Sequence, residues 1–122
     1  MKIDHLDLQV RDVPATFAFF RDYFGLTPQT RPDSPQLAIL TDGHGFVLVL
    51  QRGAADERYP QGFHVGFLRD EVDEVRRLHA RAVAEQVPVS EVIVNGRGTM
   101  IYFTRPEGYH VEVSCQNHRF VG

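Results

Sequence analysis

Glu112 stands inside Tyr109-His-Val-Glu-Val-Ser114, a carboxylate among β-branched residues in a run that otherwise reads as a strand. That placement opposes strand propensity, and local conflicts of this kind concentrate where a chain does chemistry. Residues 100–104 and 109–114 read as two antiparallel strands joined by the Pro106-Glu-Gly108 turn. Period-two alternation then puts Met100, Tyr102 and Thr104 on one face of the first strand and His110, Glu112 and Ser114 on one face of the second. The opposite faces carry Ile101, Phe103, Val111, Val113 and Cys115, the composition of a packed side. Carboxylates and imidazoles exchange protons or bind divalent metals, and a phenol such as Tyr102 donates to an oxygen or acts as an acid. For a lone Glu112 the plain alternative is a solvated sheet face.

Two histidines keep it from being alone. His5 precedes Arg11-Asp12 and a helix pattern, and His64 precedes Arg69-Asp70 and another, with one residue of difference in spacing. The elements around them repeat. Residues 2–10 alternate as a strand whose polar face holds His5, Asp7 and Gln9. Residues 12–25 read as an amphipathic helix, with Pro14 in its first turn, Phe17, Phe20 and Phe24 on its apolar stripe and Gly25 as its stop. Extended pieces follow at 26–30, 36–41 and 46–51, with a hairpin turn at Asp42-Gly-His-Gly45. Residues 52–62 lose all periodicity and read as a linker. A strand at 63–68 and a helix at 70–83 restart the pattern. Asp70 is the expected cap, and Val72, Val75, Leu78 or His79, Ala82 and Val83 the expected apolar stripe. Extended pieces at 87–94, 99–104 and 109–116 complete it, with a turn at Asn95-Gly-Arg-Gly98. The order β-α-β-β-β thus occurs twice, and a repeat places His5 and His64 at equivalent positions.

Composition narrows the partners. A chain of 122 residues with 43% hydrophobic residues is long enough for one sizeable core and short for two independent domains. The formal net charge of −3 and scattered basic residues exclude a phosphate-tracking stripe, so nucleic acid is not an expected partner. No apolar run approaches the roughly 18 residues of a membrane span, and the first residues form a strand pattern rather than a leader, so a cytoplasmic location is expected. The single cysteine, Cys115, falls on the packed face and reads as core.

Together, His5-Leu-Asp-Leu-Gln-Val-Arg-Asp12, Phe19-Phe-Arg-Asp-Tyr-Phe-Gly25, Phe63-His-Val65 and Tyr102-Phe-Thr-Arg-Pro-Glu-Gly-Tyr-His-Val-Glu112 resemble the vicinal oxygen chelate superfamily over essentially the whole chain. That group includes glyoxalase I, fosfomycin resistance thiol transferases, extradiol dioxygenases and bleomycin resistance proteins. The resemblance implies an α+β fold: two βαβββ modules, near 1–52 and 62–116 with a linker at 53–61, curling as a mixed sheet around a cleft with helices outside. It also implies a divalent metal ion, iron, manganese, nickel, cobalt or zinc, held by His5, His64 and Glu112. Two imidazoles and a carboxylate suit these ions and leave positions open for substrate or water.

The fourth family position aligns with Val49, which cannot ligate; Gln51, two residues on and on the same face, is the substitute. Tyr102 is the catalytic candidate, matching tyrosines of the extradiol and fosfomycin enzymes. His44 matches the place of an extradiol acid/base histidine but reads more simply as a turn residue. Asp7 and His110 are candidate orienting partners of His5 and Glu112. His79 and His118 read as surface residues, and Arg52, Arg58 and Arg97 as solvated loop arginines able to grip an anion. Arg105 replaces the aspartate usual before Pro-Glu-Gly.

The expected function is a small metal-dependent enzyme, a lyase or isomerase, thiol transferase or dioxygenase, acting as a homodimer on an oxygen-rich small molecule. The alternative is a metal-free protein that sequesters an aromatic or antibiotic ligand.

Overall fold

Asp12-Val-Pro-Ala opens the first helix by two means. The Asp12 carboxylate accepts from the Ala15 backbone N–H at 3.0 Å, and Pro14 needs no hydrogen-bond acceptor at its N-terminal position. In the computed structural model, which describes residues 1–118, helix α1 spans Val13–Phe24 and ends at Gly25. Gly25 adopts φ 67° and returns its N–H to the Arg21 carbonyl. Replacing Asp12 with alanine is expected to cost about 1 kcal/mol, read as a lowered urea midpoint with an unchanged slope.

The described residues fall into two compact units, Met1–Glu57 and Arg58 onward, which part inside the aperiodic linker. In the first, β1 (His5–Val10), β2 (Thr27–Pro28), β3 (Leu37–Thr41) and β4 (Val47–Arg52) form a sheet in the order β1-β4-β3-β2. The β1–β4 pair is parallel and the others antiparallel. Helix α1 covers one face. Phe17 and Phe20 are buried with Leu8, Val10, Ala38, Leu40, Leu48 and Leu50, each such side chain stabilising by about 1.5–3 kcal/mol. Alternation therefore sends His5, Asp7, Gln9, Val49 and Gln51 to the other face.

The second unit repeats this. Strands β5 (His64–Leu68), β6 (Ile93–Asn95), β7 (Gly98–Thr104) and β8 (His110–Gln116) are ordered β5-β8-β7-β6, with β5–β8 parallel. Helix α2 (Val72–Ala84) packs on β7 and β8, where Ile101, Phe103, Val111 and Val113 are buried. The chain is therefore α+β, built of two βαβββ modules with mixed sheets. No helix among the described residues is long and apolar enough to cross a membrane.

Several expected boundaries move. Strand β1 starts at His5, leaving Ile3 exposed, and only Thr27–Pro28 of 26–30 is strand. Helix α2 is capped by Glu71 rather than Asp70. Glu71 and Glu74 form a reciprocal capping box, the Glu74 carboxylate accepting from the Glu71 N–H at 3.1 Å. Val83 points outward at 57% exposure, so Val75 and Ala82 are the fully buried residues of that helix. Of 87–94, only β6 and a lone bridge from Val89 to Phe103 are sheet. The polar face of the β7–β8 hairpin is also more buried than its composition implies, with Met100, Glu112 and Ser114 all enclosed.

Candidate functional site

Antiparallel register sets Tyr102 opposite Glu112 and Thr104 opposite His110, while the parallel pair sets Gly66 opposite Glu112 and His64 opposite His110. One face of the second module thus collects His64, His110, Glu112 and Tyr102. Glu112 is 6% exposed, and its carboxylate is fully engaged. The Tyr102 hydroxyl donates to Oε1 at 2.5 Å, the Ser114 hydroxyl to Oε2 at 3.3 Å, and the Arg97 guanidinium lies 3.5 Å from Oε1. Burial first, then the hydrogen bond to Glu112, holds the Tyr102 phenol above the ordinary tyrosine range, so it keeps its proton and acts as a donor.

Tyr102 is fixed at both ends of its peptide by one residue. Its N–H donates to the Ser90 hydroxyl at 3.0 Å, and its carbonyl accepts from the Ser90 N–H at 2.8 Å. The ring stands edge-on to the imidazoles of His64 and His110, with centroids 6.3 and 6.4 Å away. Beside it runs an open groove of about 560 Å³, lined by Pro88, Val89, Ser90, Tyr102, Thr104 and His110.

Both candidate histidines are held at the same ring nitrogen. His64 Nδ1 lies 2.9 Å from the Gly62 carbonyl oxygen, and His5 Nδ1 lies 2.8 Å from Asp4 Oδ1. A carbonyl or carboxylate oxygen only accepts, so Nδ1 carries the proton and Nε2 of each neutral ring keeps a lone pair for another partner. The partner that orients His5 is therefore Asp4, not Asp7, and the one that orients His64 is a backbone carbonyl, not His110.

In the first module the register sets Asp7 opposite Val49 and Gln9 opposite Gln51, the rungs that match Gly66 with Glu112 and Leu68 with Ser114 in the second. Val49 is thus the structural counterpart of Glu112. The Gln51 side-chain amide donates to Asp7 Oδ2, and that of Gln9 donates to Asp7 Oδ1 at 3.0 Å. His5 belongs to the first unit, while His64, Glu112 and Tyr102 belong to the second. Among the described residues no group of three or more His, Cys, Asp or Glu side chains lies within reach of one metal ion.

The remaining candidates separate by position. His44 lies exposed in the β3–β4 turn, its N–H donating to Asp42 Oδ1 at 2.7 Å; that bond and those from neighbouring backbone hold the Asp42 carboxyl below its usual range. His118 is exposed and His79 half-buried on α2. Arg58 reaches the Pro106 carbonyl at 3.5 Å, and Arg97 alone of the three loop arginines meets the site. Asp4, Gly62 and Ser90 were not singled out by the sequence. A backbone carbonyl leaves no trace in residue type, whereas an aspartate directly before His5 was a visible signal.

The sequence model of the glyoxalase/bleomycin resistance protein/dioxygenase superfamily matches residues 2–113. The chain belongs to this superfamily. Among its solved structures, the chain is similar to a possible glyoxalase from Bacillus cereus, at 34% identity over 94% of this chain and 99% of that one, with a TM-score of 0.82. A lactoylglutathione lyase from Agrobacterium tumefaciens is 26% identical, covering 93% and 92% of the two chains with a TM-score of 0.73. A fosfomycin resistance protein from Listeria monocytogenes, at 20% identity over 96% and 94% and a TM-score of 0.77, shares the fold. No curated protein matches significantly. The superfamily acts on small molecules, and its members commonly use divalent metals.

Proposed function

We propose that the chain is a metal-dependent enzyme acting on an oxygen-rich small molecule, with His5, His64 and Glu112 as metal ligands and Tyr102 as catalytic donor. The observation that carries this reading is the shared state of the two histidines. Each gives Nδ1 to an oxygen and presents Nε2, the arrangement in which imidazoles serve metals, with the outer oxygen fixing the ring. The donor set fits the ion: two imidazole nitrogens and a buried carboxylate suit iron, manganese, nickel, cobalt or zinc and leave coordination positions open. Such an ion supplies Lewis acidity toward a substrate oxygen.

The chain's own groups do the rest. Tyr102 keeps its proton and directs it over the Glu112 face, Ser90 holds the Tyr102 backbone in place, and the groove beside it receives the substrate body. Arg97, 59% exposed in its side chain, offers positive charge to an anionic oxygen near Glu112. Because His5 comes from one module and His64 with Glu112 from the other, the reading includes a homodimer in which modules of two copies complete each centre, as the resemblance implies.

The test is metal content by mass spectrometry on untagged protein beside the His64→Ala variant. Near-stoichiometric metal in the parent and its loss in the variant is the expected result. Iron directs the assays to oxygen uptake with catechols. Nickel, zinc, cobalt or manganese directs them to hemithioacetals and to epoxides with thiols. No metal in either protein after reconstitution overturns the reading and favours a metal-free binding protein.

A further inference from the structure

The parallel rungs that carry the candidate ligands hold the same parts in exchanged order. In the second module the carboxylate, Glu112, is on β8 and its partner on β5 is Gly66; in the first the carboxylate, Asp7, is on β1 and its partner on β4 is Val49. Each rung offers one carboxylate and one residue without a ligating side chain. Paired strands lie only about 4.8 Å apart, so the exchange moves the carboxylate across a single strand spacing on an unchanged face. Gly66 shows what the exchange requires, since a Cβ at that position would already lie 3.6 Å from Glu112 Oε2.

Asp7 is held as a ligand is held. Gln9 donates to one oxygen and Gln51 to the other, which fixes the carboxylate plane and leaves each oxygen a lone pair. Gln51 spends its donor group on Asp7, which gives it a positioning role and explains a glutamine at the end of β4. His5 precedes Asp7 by two residues on the same face, about 6.6 Å along the strand, so His5 and Asp7 present nitrogen and oxygen donors side by side. The oxygen that orients His5 belongs to Asp4, so Asp7 is not needed for that task.

We infer that Asp7 is the second carboxylate ligand of the centre proposed above, transposed from the last strand of the first module to its first. This rests on the reading of His5, His64 and Glu112 as ligands, and it completes a set of two imidazoles and two carboxylates.

Cobalt(II) is the probe. The full chain and its variants are loaded with cobalt, titrated with a competing chelator and followed by visible absorption, with far-ultraviolet circular dichroism to check folding. Asp7 is exposed, so its variants are expected to fold. Asp7→Asn is expected to weaken cobalt retention by more than about 100-fold and shift the absorption bands, whereas Gln51→Leu costs about 10–100-fold with the bands in place. Adding Val49→Glu to Asp7→Asn returns a carboxylate to β4 and is expected to restore retention. If Asp7→Asn keeps parental affinity and bands while Glu112→Ala loses cobalt, this inference is overturned and the three-ligand reading stands. If Glu112→Ala also keeps cobalt, both fall.

Discussion

Replacing Glu112 with alanine is expected to strip the protein of its divalent metal, lowering affinity by at least about 100-fold, beyond what loss of an outer partner costs. Glu112 is enclosed, and three donors converge on its two oxygens. Its removal also leaves the Tyr102 and Ser114 hydroxyls without the acceptor that fixes them, a stability cost of about 1–3 kcal/mol. The arginine adds little to that figure, because Arg97 is mostly in water and its attraction is screened. Glu112→Gln separates the two effects. The amide oxygen still accepts from a hydroxyl, so much of the stability returns, but the negative charge does not, and metal stays lost. Metal content by mass spectrometry and urea denaturation on the same samples read the two quantities. Full metal occupancy in Glu112→Ala would end the metal reading.

Gly98→Ala is expected to cost about 3 kcal/mol or more, from strain at its backbone angle and from collision with the neighbouring strand. Gly98 has φ 142°, and a Cβ there would sit 2.2 Å from the Cys115 carbonyl oxygen and 2.9 Å from the Gln116 Cα. Both obstacles are backbone of β8, so no side chain can swing away. The damage falls on the rungs joining Gly98 to Gln116 and Thr99 to Cys115, and so on the strand that carries Tyr102. Gly96→Ala, two residues earlier, meets nothing within 4 Å and is the control, with an expected change within about 0.5 kcal/mol. The urea midpoints of the pair decide; equal losses would mean that the whole turn, not this contact, is sensitive.

How far the sequence reaches depends on what each residue is asked to do. Pro14 and Gly25 mark the ends of α1 because their backbone limits are intrinsic, and alternation around Glu112 sorts the hairpin faces because the strand period is fixed. Asp70 and Glu71 are both acids in one run, and only the reciprocal bonds between Glu71 and Glu74 choose between them. Residues 87–94 read as a strand from composition, yet Pro88 has no N–H to give, and Ser90 pairs with Tyr102 partly through its hydroxyl. At the site, His5, His64, Glu112 and Tyr102 stand out by type and position in the repeat. The tethers on the histidines do not, since one is a peptide carbonyl. The equivalence of Val49 and Glu112 becomes a physical statement only with the parallel register.

The Ser90 clamp on Tyr102 also governs how the sheet ends. Beyond β7 the border of the second sheet is the three-residue β6, with Val94 65% exposed, preceded by a stretch in which Pro88 lacks an amide and the Ser90 amide is already spent. A long, flat border with free amides recruits strands from other molecules and seeds aggregates, and short, interrupted ones resist this. The residue that steadies the tyrosine thus also shortens the ladder a foreign strand can extend, so an apolar valine can stand in water on the edge of the sheet without becoming the first rung of a fibril.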